Sequence, residues 1–204
     1  MSARDEILGR VRSALADAPD IPVPAVPRRT PDASVDIVAL FCDRVADYRA
    51  EVERCSAADL AARLRAALPD GARVVVPPDL DLDVPGSVAD TGLSAADLDG
   101  FEVVVTHARL GIAETGTIVL DHGRGQARRA TTLVPDHHVC VLDASQVVAD
   151  VPDAFDVLDA SRPLTWISGP SATSDIELDR IEGVHGPRRL HVIVVDRGRL
   201  PRVF

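Results

Sequence analysis

The chain has 204 residues, of which 46% are apolar, enough to bury the core of one large α/β domain with an N-terminal arm. Its formal net charge is −10 and all 22 of its cationic residues are arginine, a balance that gives no electrostatic footprint for nucleic acid. Aromatic residues make up only 3% of the chain, which weakens any case for stacking single-stranded bases.

Three cysteines, Cys42, Cys55 and Cys140, lie far apart with no C-x-x-C pair. They offer no iron–sulfur or zinc framework within the chain and fit a reducing compartment. The first ten residues carry charges where a signal peptide needs an apolar stretch. No apolar run approaches the ~18–20 residues that span a bilayer. The expectation is a cytoplasmic protein.

Residues 1–34 read as an arm. Ser2 and Asp5 form the start of a short helix, with Ile7, Leu8, Val11 and Leu15 on one face. A proline-rich linker from Pro19 to Pro31 follows, since proline fixes φ and blocks both helix and ladder. Residues 35–204 read as the main domain. Helical spacing of Val38, Phe41, Val45 and Tyr48 predicts a helix over 35–50, then a short strand over 51–55. Ser56 and Asp59 cap a helix carrying Leu60, Leu64 and Leu68, and a strand follows over 73–76. The acidic stretch 79–85 lacks the glycine and terminal glutamate of a calcium loop, so it is a solvated loop.

Ser94 caps a helical turn ending at Leu98. Residues 101–106 form a strand apolar enough to be covered on both faces. A glycine-rich loop over 122–126 and the pair Arg128 and Arg129 precede a strand over 138–142. Short helices are expected from 144 and over 153–159, and strands over 164–167 and 190–195. This alternation predicts a three-layer open, mostly parallel α/β sheet. A G-x-G-x-x-G dinucleotide fingerprint is missing.

Three constellations can carry chemistry. In Glu114-Thr115-Gly116-Thr117, Gly116 permits close backbone approach, the threonines offer hydroxyls, and Glu114 is a candidate base or nucleophile. Residues 168–187 form the second. Gly169 and Pro170 make a turn, and Ser174 with Glu177 reads as a capping box opening a helix with Asp175 in its first turn. Ser171 and Thr173 just before it are candidates to hold a carboxylate or phosphate. The third is His185, set against Gly186 and Pro187, a group that titrates near neutrality when unperturbed. The histidines match no metal-ligand spacing, and adjacent His137 and His138 on a strand point to opposite faces.

Together, Glu114 to Thr117, Leu133 to Pro135, His138, Ser168 to Ser171, Thr173, Asp175 to Glu177, Gly183 and His185 to Pro187 carry a pattern that resembles the LUD-domain family, lactate utilization protein C type. The resemblance covers roughly residues 35–196. It implies the open sheet of the sugar-phosphate isomerase and CoA transferase-like fold. It also implies a non-redox component of a system oxidising L-lactate to pyruvate, partnered by iron–sulfur proteins. On this view clusters reside in the partners and no cofactor in this chain; a small carboxylate or phosphate is the expected ligand. Two other roles stay open: a transferase- or isomerase-type enzyme acting on a CoA ester or sugar phosphate through Glu114, and a small-anion sensor. In one place the chain departs from the resemblance. Relatives carry Arg or Lys between the serine and threonine of the Gly-Pro-Ser segment, where Ala172 stands here, which turns attention to Arg188 and Arg189 as substitute cations.

Overall fold

A computed structural model describes residues 2–19, 21–22, 34–174, 180–182 and 185–196, with the backbone alone at 172–174 and 180–182. Helix α1 (Ala3–Ala14) opens on a capping box in which the Ser2 hydroxyl accepts from the Asp5 N–H and the Asp5 carboxylate from the Ser2 N–H. Its Ile7, Leu8, Val11 and Leu15 are exposed. Asp36 caps α2 (Ile37–Asp47) by accepting from the Val38 and Ala39 N–H groups. The chain continues through β1 (Glu51–Ser56), α3 (Leu60–Ala67), β2 (Val74–Val76), β3 (Val88–Ala89), α4 (Ala95–Leu98) and β4 (Val103–His107). A hairpin of β5 (Leu110–Ile112) and β6 (Thr117–Leu120) leads to β7 (His137–Asp143), a single 3-10 turn (Ala144–Gln146), β8 (Val147–Val148) and α5 (Val151–Val157). The last strands are β9 (Thr165–Ile167), β10 (Ala172–Ser174), β11 (Arg180–Glu182) and β12 (Arg189–Asp196).

Six strands form one sheet in the order β1-β12-β7-β4-β2-β3, and every pairing in it is parallel. Both faces are covered, which is why β4, β7 and β12 carry the continuous apolar runs Val103–Val105, Val139–Leu142 and Val192–Val195. On one face Val103, Val105, Val139, Val141 and Ile193 pack with Leu64 and Ala67 of α3. On the other, Cys140, Leu142, Val192 and Val194 pack with Phe41 and Val45 of α2 and with Ile118 and Leu120 of β6.

The last two residues belong to a second sheet, ordered β8-β5-β6-β9, that the sequence pattern did not announce. Its other face carries Leu110, Ile112 and Val119 against Ala154 of α5. The α/β architecture with a mostly parallel sheet therefore stands, with a small mixed sheet inserted beside α2. Among the described residues no helix is long and apolar enough to cross a membrane.

Two local expectations are corrected. The helix expected from 144 is one 3-10 turn that runs into β8, because Asp143 and Gln146 satisfy each other's backbone and then Val147 pairs with Gly111. The helix expected after Ser174 is replaced by a hairpin. β10 pairs antiparallel with β11, placing Thr173 opposite Ile181 and Ser174 opposite Arg180. The S-x-x-E signal is local, whereas the ladder takes its backbone partners from residues up to ten positions on. The neck is tied by the Ser171 N–H donating to the Pro187 carbonyl at 2.8 Å. Asp175 and Glu177 lie outside the described residues.

Phe41 is fully buried between α2, the large sheet and the small one. Phe41→Ala should cost about 3–5 kcal/mol, measured as a drop in the urea midpoint at unchanged slope.

Candidate functional site

Pairing of β6 with β9 sets Ile118 opposite Ile167, and so carries Thr117 beside Ser168. A chain of hydroxyls results: Thr115 Oγ1 to Thr117 Oγ1 at 2.7 Å, and Thr117 Oγ1 to Ser168 Oγ at 2.8 Å. Two positive-φ glycines fix the turns on either side. Gly116 (φ +58) lies so close to the Arg44 backbone that a Cβ would stand 2.6 Å from it, and at Gly169 (φ +83) a Cβ would stand 2.5 Å from Tyr48 Cβ. The turn containing Glu114 and the Ser168–Ser171 segment thus both sit on the carboxyl end of α2, as neighbours.

A cleft of about 230 Å³ opens beside them at the amino edge of β7 and β12. Ser168, Gly169, Ser171, His185 and Gly186 line one side, with His138 and Arg129 also in the lining. Ser171 Oγ accepts from the His185 N–H at 3.0 Å, which holds the two Gly-Pro turns together. Thr117 reaches the cleft through Ser168. Glu114 and Thr115 stand outside the lining, with the Glu114 N–H bonded to the Ala149 carbonyl at 3.0 Å. The side chain of Thr173 and all of Asp175 lie outside the described residues.

Neither Arg188 nor Arg189 lines this cleft. Arg188 pairs with Asp136, and Arg189 reaches Glu51 at 3.1 Å. Arg129 does line it, and among the described residues its guanidinium has no ion pair. Its neighbour Arg128 anchors the segment, donating from Nε to Asp90 at 2.8 Å and from Nη2 at 3.0 Å. Asp90 also accepts from the Thr131 hydroxyl and from the Gly92 and Leu93 N–H groups. Burial alone pushes this carboxyl up, but Arg128, Thr131 and the two N–H groups outweigh it and hold it well below the usual range. The Arg128-Arg129 pair after the glycine-rich loop was visible in sequence; which arginine stays unpaired depends on Asp90, 38 residues from Arg128.

His138 is fully buried, with Nε2 2.8 Å from Thr106 Oγ1. Burial, with the charges of His137 and Arg129 adding, lowers its pKa to about 4, so it is a neutral imidazole at pH 7. His137, on the opposite face of β7, stacks on His191 at 6.5 Å between ring centroids. Among the described residues no group of three His, Cys, Asp or Glu side chains is placed to hold a metal ion. Cys55 and Cys140 are buried and Cys42 half-buried, all as free thiols. What the cleft can do is bind a small oxyanion: one guanidinium, two serine hydroxyls and an accessible imidazole converge on a volume suited to a few heavy atoms.

Residues 89–195 match the family model of the LUD domain. The chain belongs to the LUD domain family. It is similar to lactate utilization protein C of Deinococcus radiodurans, 43% identical over 202 residues and 95% of each chain. Lactate utilization protein C of Bacillus velezensis is 26% identical over 192 residues, 79% of each chain. The crystal structure of a DUF162 family protein from Deinococcus radiodurans superposes with a TM-score of 0.67 at 40% identity, covering 78% of this chain and 96% of that one. The LUD match spans the amino-edge cleft, all of β4 and β7 and all but the last residue of β12.

Asp90→Asn should lower stability by about 2 kcal/mol at pH 7, because a charged acceptor of five bonds becomes a neutral one. The Asp90 contribution is present above the unfolded carboxyl value of ~3.9 and is lost as pH falls through the depressed folded value. Acid titration of unfolding free energy should therefore fall more steeply below about pH 4 in wild type than in the variant. His138 has a dependence of the same sign, set in a higher pH window. Its folded pKa of about 4 lies below the unfolded ~6.5, so the folded state binds fewer protons and stability falls as pH drops through that window. Histidine NMR should show His138 neutral at pH 5.5, and a His138 resonance titrating near ~6.5 would refute the burial argument.

Proposed function

We propose that this LUD-domain protein serves lactate utilization, as the non-redox component of a system that oxidises L-lactate to pyruvate. The observation that carries this reading is its 43% identity, over 95% of both chains, to a protein named for lactate utilization. In this reading lactate loses its carbinol C–H and O–H hydrogens as two protons and two electrons. A carbon–oxygen double bond forms, and the electrons pass to iron–sulfur centres of partner proteins. This chain carries no cofactor; it binds the carboxylate and presents it, in a cytoplasmic setting.

The amino-edge cleft supports that role. Arg129 pairs with the carboxylate, while Ser171 and His185 meet the hydroxyl or keto oxygen. Residues 1–34 act as an arm and residues 35–204 as the LUD-type domain. A CoA-ester or sugar-phosphate enzyme built on Glu114 gains no support from the geometry, because Glu114 stands outside the cleft.

Deletion of the gene should abolish growth on L-lactate, and the wild-type chain should restore it. Arg129→Ala should restore lactate oxidation at least tenfold less well, the worth of one charge-assisted contact. The wild-type chain should co-purify with iron–sulfur proteins. Undiminished growth on lactate after clean deletion would overturn the reading.

A further inference from the structure

A second cleft, of about 530 Å³, lies at the opposite edge of the large sheet. Its place follows from the topology. From β2 the chain steps outward to β3, crosses back to β4, and then moves the other way through β7 to β12. Connections leaving β2 and β4 diverge, and such a switch point leaves a crevice outside the carboxyl ends of the strands. Asp81, in the loop after β2, and His107, the last residue of β4, meet there across 2.5 Å.

The charges in this cleft are unusual for so acidic a chain. Asp121 is buried and accepts from Gln126 Nε2 at 2.7 Å, from the Gly123 N–H at 3.1 Å and from Arg162 Nη1 at 3.1 Å. Arg109 approaches the same carboxylate at 3.8 Å, so one acid faces two guanidinium groups. Arg124 adds a third at the rim, and among the described residues it has no ion pair. The remaining acids are each held by a protein donor: Asp81 by His107, Asp159 by the Ser161 hydroxyl and N–H. Three carboxylates thus formally balance three guanidinium groups, but two of the arginines share the one buried carboxylate and Arg124 has no ion pair among the described residues, which leaves guanidinium N–H groups for an anion while Asp81 and Asp159 keep oxygens able to accept from hydroxyls.

We propose that this carboxyl-edge cleft binds a hydroxylated oxyanion, with its phosphate or carboxylate head between Arg124 and the Arg109–Arg162 pair and its hydroxyls toward Asp81 and Asp159. The volume exceeds that of a bare phosphate, so the ligand brings further heavy atoms. This site is separate from the cleft of Arg129 and does not depend on the lactate reading.

Calorimetric titration of the full chain with glycerophosphate, and separately with glycerate, tests it and distinguishes a phosphate head from a carboxylate head. At least one probe should bind below about 10 mM, raising the melting temperature by mass action. Arg124→Ala should weaken that probe at least tenfold, Arg124→Lys should recover part of the loss, and Arg129→Ala should weaken it less than Arg124→Ala does. Because Arg124 is exposed and unpaired among the described residues, the variants should melt with wild type when no probe is present. Absence of binding by both probes, or binding that Arg124→Ala leaves unchanged or that Arg129→Ala weakens as much, would overturn the proposal.

Discussion

Burial of β4, β7 and β12 on both faces is the constraint from which the rest of the molecule follows. Valines at 103–105, at 139 and 141 and at 192 and 194–195 leave little room for polar groups within these strands, where Thr106 pairs with His138 and His137 stacks on His191. Chemistry is driven to the two ends of the strands, where loops supply the side chains. One end gathers Ser168, Ser171, His185 and Arg129; the other gathers His107, Asp121, Arg109, Arg124 and Arg162.

The small sheet turns that constraint into a particular site. By packing Ile118 and Leu120 on the large sheet beside Phe41, it sets β6 against α2. Both glycine turns then rest on the carboxyl end of that helix, and the register of β6 with β9 links Thr117 to Ser168. Asp90 does a similar service from farther away. It engages Arg128 and Thr131 and leaves Arg129 in the cleft.

The parallel strands and α2 were legible in sequence because their signals are strong and local: continuous Val and Ile runs, and apolar residues at helical spacing. The importance of residues 168–187 was legible too, from two Gly-Pro turns around a hydroxyl cluster. The hairpin there was not, since a capping pattern of four residues says nothing about a strand that returns to pair with it. The small sheet was hidden for a related reason. β5 has three residues and β8 has two, too short for alternation to register. Nor could spacing identify the cation. Arg188 and Arg189 looked available beside Gly186 and Pro187, and only the fold brings Asp136 and Glu51 to engage them.

Strand β7 has one further consequence. His138 near its start lines one cleft, and Gln146 just past its end lines the other. From His138 to Asp143 alone the strand covers roughly 17 Å at ~3.3 Å per residue. That is about twice the screening length of ~8 Å in physiological salt. Through solvent, a charge arriving beside His138 is therefore largely screened at the far end of the strand, and the two ends of β7 can be loaded and mutated with little electrostatic cross-talk between them.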